Sequence, residues 1–265
     1  MPRAAAFFDL DKTLIEGSSA IDFARASYKR GLMSRRQLVL DLWANMKFRL
    51  DGSTDQSTDA LRDRVLDAIA GTRVVDLMRL GPDVFASLLP RLYPEVLDEA
   101  WSHQDAGRPI YIVTAASQEM AAALASVLGF DGGIGTRSEI KDGVYTGKPD
   151  GPLVYRDGKP VAMREVAARE DIDLSESYAY SDSESDLPML RAVGHPVVVN
   201  PDAHLEQVAR EEGWRIMRFD KLGRRLKIAG GLVALGAGGT AVGWVGSRVQ
   251  ERYSRKAKLR RRLRR

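Results

Sequence analysis

The chain has 265 residues, 44% hydrophobic and 29% charged, which excludes a disordered protein and is enough to bury a substantial core. It has no cysteine, so disulfides, thiolate metal sites and a Cys nucleophile are excluded, and its three histidines lack a metal-binding spacing, which favours oxygen ligands and a hard cation. The net charge of +4 is unevenly placed: residues 247–265 hold ten Lys and Arg against Glu251, a local +9, leaving −5 for residues 1–246.

The first element is an apolar run over residues 4–8, the pattern of a buried strand. No long apolar leader precedes it, so a cytoplasmic catalytic part is expected. From about residue 19 to 93 apolar residues recur at three- and four-residue steps, as in Leu38, Leu42, Trp43 and Met46, predicting several helices and no strand. After Pro94 a helix over 95–104 is expected, stopped at Gly107, then a β-branched strand over 109–113 ending at Thr114. A helix over 118–128 follows, then a short run over 133–136 and a turn at 141–143. The remaining expectations are a helix over 163–169, a strand over 178–180, a helical turn over 188–192 and a strand over 197–199. Strands alternating with helices predict an α/β fold, a mostly parallel sheet, with the helical block at residues 17–92 inserted after the first strand.

Chemistry concentrates at the predicted strand ends. Asp9 and Asp11 in FFDLDKTL are two residues apart, so an extended strand points both the same way, towards the space where α/β sheets bind ligands. Two such carboxylates need a cation or a shared proton to coexist. Thr114 in IVTAAS brings a hydroxyl with nearby main-chain N–H groups such as that of Ala115, and YSDSESDLPML brings Asp182 and Asp186. Lys159 in DGK lies between these segments, and Lys148 in TGKPDG is a rival cation. The set holds a nucleophile, an acid/base, phosphate donors, a cation and metal-binding carboxylates.

The segments FFDLDKTL, IVTAAS, DGK and YSDSESDLPML, in that order and at those separations, resemble the four motifs of the haloacid dehalogenase superfamily. The resemblance covers about residues 4–219 and is strongest to the phosphoserine-phosphatase-like group, whose helical cap is inserted after the first strand. It implies a doubly wound α/β core over residues 1–16 and 93–220, a helical cap over 17–92, and hydrolysis of a small phosphorylated metabolite. Asp9 would be the nucleophile, Asp11 the general acid/base, and Thr114, Ala115 and Lys159 the phosphate ligands. Mg²⁺ would be held by Asp9, the main-chain carbonyl of Asp11 and Asp182, with Asp186 orienting Lys159 or metal-bound water; an N-cap before Leu187 is its alternative or additional role. Lys159 is preferred to Lys148 because it stands just before a helical run, as the family's lysine does. A phosphotransferase with the same intermediate, or a non-catalytic module, are the alternatives. Where phosphoserine-specific members carry a glutamate this chain has Ser18, so phosphoserine is not expected to be the preferred substrate.

Residues 228–247 contain no charged side chain and would span about 30 Å as a helix, the thickness of a bilayer core. Basic residues flank the run on both sides, so a membrane segment followed by a basic tail over 248–265 is expected, with anionic lipid rather than nucleic acid as the partner.

Overall fold

The computed structural model describes residues 2–32, 66, 67 and 69–219. The uncharged run at 228–247 and the basic tail lie outside the described residues, and among those described no helix is long and apolar enough to cross a membrane.

The central strand, β1 (Ala6–Asp9), is buried at every position, because a strand covered on both faces must be apolar throughout until it reaches the sheet's edge. It is flanked by β2 (Ile110–Ser117) and, beyond that, β3 (Gly132–Thr136); on its other side lie β6 (Tyr178–Ser181), β7 (His195–Val199) and β8 (Arg215–Met217). The sheet order is β3-β2-β1-β6-β7-β8, and every pairing is parallel. The chain therefore leaves β1 in both directions across the sheet, and the carboxyl end of β1 is the switch point at which such sheets bind ligands. A two-stranded antiparallel hairpin, β4 (Ser138–Lys141) and β5 (Val144–Pro149), stands outside this sheet.

The helices of the described block after β1 are α1 (Ser19–Lys29), α2 (Val74–Met78) and α3 (Gly81–Leu88). The chain leaves and re-enters the core at adjacent points. Glu16 N–H donates to Arg91 O at 2.8 Å, Tyr93 N–H donates to Leu14 O at 2.9 Å, and Ile15 bridges Leu92 antiparallel.

Four further helices cover the sheet: α4 (Pro94–Asp105), α5 (Gln118–Leu128), α6 (Gly158–Glu170) and α8 (Ala203–Glu211), with a short α7 (Leu187–Leu190) after β6. The sequence signals for α5 work as expected: Ser117 accepts from Met120 N–H at its start, and Gly129 takes a left-handed φ of 70° at its end. On one face of the sheet Phe7, Tyr111, Val113, Met163 and Val198 form a continuous core. On the other, Phe8 stacks on Tyr180 with ring centroids 4.2 Å apart. Phe7 and Phe8 are fully buried, and each such burial stabilises the fold by about 2–3 kcal/mol.

Several boundaries differ from the sequence expectations. The first strand occupies Ala6–Asp9 rather than 4–8, so Asp9 itself belongs to the ladder. β2 runs on to Ser117, past the expected end at Thr114. Helix α6 begins at Gly158, not 163, because Pro160 falls in its first turn, where a missing N–H removes no helical bond. Gly158 is required there: a Cβ would lie 1.8 Å from Leu153 O. The β4–β5 hairpin, read only as a turn at 141–143, and the three-residue edge strand β8 were not anticipated.

Candidate active site

The parallel register brings the chemistry to one sheet end. Asp9, the last residue of β1, pairs with Val113, so Thr114 on β2 follows directly beside it. Phe8 pairs with Tyr180, which puts Ser181 and Asp182 at the same level on the other side. Helix α6, entering through the Gly158 contact, delivers Lys159 to the middle of this group.

Lys159 is 3% exposed, and its ammonium donates to Asp9 Oδ1 at 2.6 Å and Asp186 Oδ2 at 2.7 Å. Ser181 Oγ donates to the same Asp186 oxygen at 2.6 Å. Asp186 stands at the amino end of α7, but its carboxylate makes no capping hydrogen bond to that helix and accepts from Lys159 instead. Lys148, the rival cation, is exposed on β5.

Asp182 accepts from Thr13 Oγ1 at 3.4 Å, and its other oxygen lies 3.8 Å from Lys12 Nζ. Asp11 is half-buried and held on both oxygens, by Ser18 Oγ at 2.8 Å and by Ser19 N–H at 2.8 Å. Thr114 is buried, and Ala116 N–H donates to its hydroxyl at 3.3 Å. The carbonyl of Ala115 accepts from Thr136 Oγ1 at 3.0 Å, which ties the carboxyl end of β2 to β3.

Burial pushes the Asp9 carboxyl up to about 8, with Lys159 opposing and Asp186 and Asp182 adding to the rise. Asp182 is raised to about 6, again first by burial; Lys12 and Lys159 oppose, and Asp186 and Asp11 contribute repulsion. Burial works against the charged Lys159, but Asp186 and then Asp9 outweigh it and hold its pKa above the ordinary value. Three buried carboxylates thus surround one buried ammonium, an excess of negative charge that a further cation would relieve. The donors are all oxygens, the chemistry of a hard divalent cation. Among the described residues no three acidic or imidazole side chains are arranged to hold a metal alone, so such a site needs a main-chain oxygen beside the carboxylates.

A cavity of about 560 Å³ lies at the other end of the sheet, lined by Tyr178, His195, Trp214 and Arg215 at the amino ends of β6, β7 and β8. It contains none of the groups assembled around Asp9.

The haloacid dehalogenase-like hydrolase family model matches residues 6–191. The chain belongs to this family. Over 253 residues it is 38% identical to a phosphoserine phosphatase from Mycobacterium tuberculosis, covering 94% of this chain and 82% of that one. It is 32% identical over 222 residues to a histidinol-phosphatase from Neisseria meningitidis, covering 81% of this chain and 98% of the other. A crystal structure of a protein of unknown function from Bordetella pertussis superposes with a TM-score of 0.72 at 29% identity, covering 82% of this chain and 99% of that one. This chain is an enzyme of the family's phosphoric monoester hydrolase type, as its four assembled motifs and its phosphatase relatives agree.

Two site residues were missed by the sequence reading, Ser181 behind Asp186 and Thr13 on Asp182, while Ser18 was singled out for standing in place of a glutamate and not as the partner of Asp11. Thr13 had a usable signal, since it sits four residues after Asp9 in the first motif. Ser181 had none, as it is one of several serines in its segment.

Proposed function

We propose that this hydrolase cleaves a small alkyl phosphomonoester through an aspartyl-phosphate on Asp9. The observation that carries the reading is the Asp9 carboxylate paired at 2.6 Å with buried Lys159, with Asp11 two residues on in a fixed orientation. An Asp9 oxygen forms a bond to phosphorus as the ester P–O bond breaks, and Asp11 gives its proton to the departing alcohol oxygen. Asp11 then takes a proton from water, whose oxygen bonds to phosphorus as the Asp9–phosphorus bond breaks, releasing inorganic phosphate. Lys159 places positive charge between nucleophile and phosphoryl group, and Thr114 with the N–H of Ala115 receives the phosphoryl oxygens. Mg²⁺ fits the oxygen set of Asp9, Asp182 and the Asp11 carbonyl; when bound it supplies the charge that lets an anionic carboxylate meet an anionic phosphate.

The hydroxyl of Ser18 is directed at Asp11 and offers no carboxylate to a substrate ammonium. This supports a preference other than phosphoserine. The test is phosphate release by the purified full chain from phosphoserine, histidinol phosphate and p-nitrophenyl phosphate, with Mg²⁺ or with chelator, beside Asp9→Asn. Hydrolysis that needs Mg²⁺ and falls at least about 10³-fold in Asp9→Asn is expected, because an amide cannot form the intermediate. Full activity in that variant removes the mechanism, and a kcat/KM favouring phosphoserine more than about tenfold removes the substrate preference, a difference of about 1.4 kcal/mol in transition-state binding.

A further inference from the structure

Ser18 occupies the amino end of α1, where a serine ordinarily caps its helix through the side chain. It has the extended cap backbone, φ −126° and ψ 132°, yet no helix N–H donates to its hydroxyl. The hydroxyl, 4% exposed with the rest of the residue, instead donates to Asp11 Oδ2 at 2.8 Å. Asp11 Oδ1 accepts from the next residue's main chain, Ser19 N–H, also at 2.8 Å. The capping relationship is therefore reversed: the carboxylate supplies the acceptor for the first turn of α1, and the serine holds the carboxylate.

The intervening loop is built to bring these groups together. Lys12 takes a left-handed φ of 60°, and its N–H donates to Gly17 O at 3.0 Å. Gly17 has φ 88°, and a Cβ there would meet Arg91 Nη1 at 3.0 Å, so a side chain at 17 is disfavoured by conformation and by space. The chain returns to Asp11 seven residues later with Ser18 pointing inward.

One donor fixes one oxygen of a carboxylate; two donors on its two oxygens fix the plane and both side-chain torsions. We propose that Ser18 is a positioning residue for the reaction, holding Asp11 so that its proton reaches the leaving-group oxygen. The inference rests on the phosphatase reading above. It predicts a dependence on the leaving group. An alkoxide is a poor leaving group and needs the proton as the P–O bond breaks, whereas p-nitrophenolate departs with little help. Loss of the Ser18 hydrogen bond leaves Asp11 chemically intact but badly aimed, which penalises alkyl esters selectively.

The test compares kcat/KM for glycerol 2-phosphate and p-nitrophenyl phosphate in full-length wild type, Ser18→Ala and Ser18→Thr. The ratio of the two is independent of the fraction of folded enzyme, so partial misfolding of a variant does not disturb it. Ser18→Ala is expected to lose about tenfold or more on the alkyl ester relative to the aryl ester, mainly in kcat, within the usual range for general acid catalysis. Ser18→Thr, which keeps the hydroxyl, is expected to restore the ratio to within about threefold of wild type, a residual of under 1 kcal/mol. Equal losses on both esters, or no loss on either, overturn the proposal. A wild-type chain inactive on both esters overturns the phosphatase reading itself, an outcome distinct from either of these.

Discussion

Lys159→Met tests the electrostatic account of the site most directly. The ammonium is 2.6 Å from one buried carboxylate and 2.7 Å from another, so at an effective dielectric constant of about 20 each contact is worth about 6 kcal/mol before desolvation. Desolvation of a side chain that is 4% exposed offsets much of this, and removing one partner of a buried pair costs about 3–5 kcal/mol net. For a folded unit of this size that is a fall in Tm of about 10 °C, measured by circular dichroism with chelator present. Asp186→Asn should cost less than half as much. It removes one of three carboxylates that repel one another, as the raised Asp9 and Asp182 show, whereas Lys159→Met removes the group that neutralises them. Both variants should lose at least about 100-fold in kcat/KM, because Lys159 is deleted in one and unanchored in the other. A Lys159→Met protein melting within about 2 °C of wild type, or an Asp186→Asn protein melting below it, would refute the charge-excess reasoning.

Acid stability should depend on His103. Arg108 Nε donates to its Nδ1 at 2.7 Å, so the neutral ring carries its proton on Nε2 and donates to Tyr180 Oη at 2.7 Å. Burial, then Arg108, lowers its pKa to about 4, so the unfolded chain takes up a proton near pH 6.5 that the folded one refuses. The resulting stability, about 3 kcal/mol, is complete above pH 6.5 and lost as pH falls towards 4. His103→Gln should flatten urea-measured stability across that window, and a loss equal to wild type's would refute the assignment. Gly158→Ala should lower stability by about 1–3 kcal/mol and kcat/KM with it, since the new Cβ meets Leu153 O one residue before Lys159; an unchanged Tm and kcat/KM would refute the close-approach argument.

The carboxyl end of the sheet, where the candidate site lies, was legible because it combines two strong signals. A strand buried on both faces, such as Phe7 and Phe8, reads as an unbroken apolar run, and a carboxylate or hydroxyl closing that run, as at Asp9 and Thr114, marks the edge where ligands bind. Lys159 is preferred to Lys148 in the sequence by its place before a helix, and in the fold Lys159 is buried while Lys148 is exposed. The start of α6 was hidden because Gly158 and Pro160 both argue locally against a helix, while a tertiary contact with Leu153 decides the matter. The contacts of Ser18 and Ser181 were hidden for another reason: hydroxyls carry no periodicity, and their pairing with Asp11 and Asp186 is set by loop geometry that a linear pattern does not record. β8 is short and lies at the sheet edge, where Arg215 pairs with Glu99 rather than extending an apolar run.

The paired crossings at Leu14–Glu16 and Arg91–Tyr93 have an evolutionary consequence. Because the chain departs and returns one hydrogen bond apart, the ends of the intervening block are already closed by the core, and its length enters the folding free energy only through a logarithm. The block can be lengthened, trimmed or exchanged while β1 keeps its pairing and Asp9 its neighbours. Selection can therefore rewrite what the enzyme admits without retuning how it breaks the bond. The exception is the first turn of α1, whose Ser18 and Ser19 grip Asp11: a graft that replaces them changes the chemistry along with the specificity.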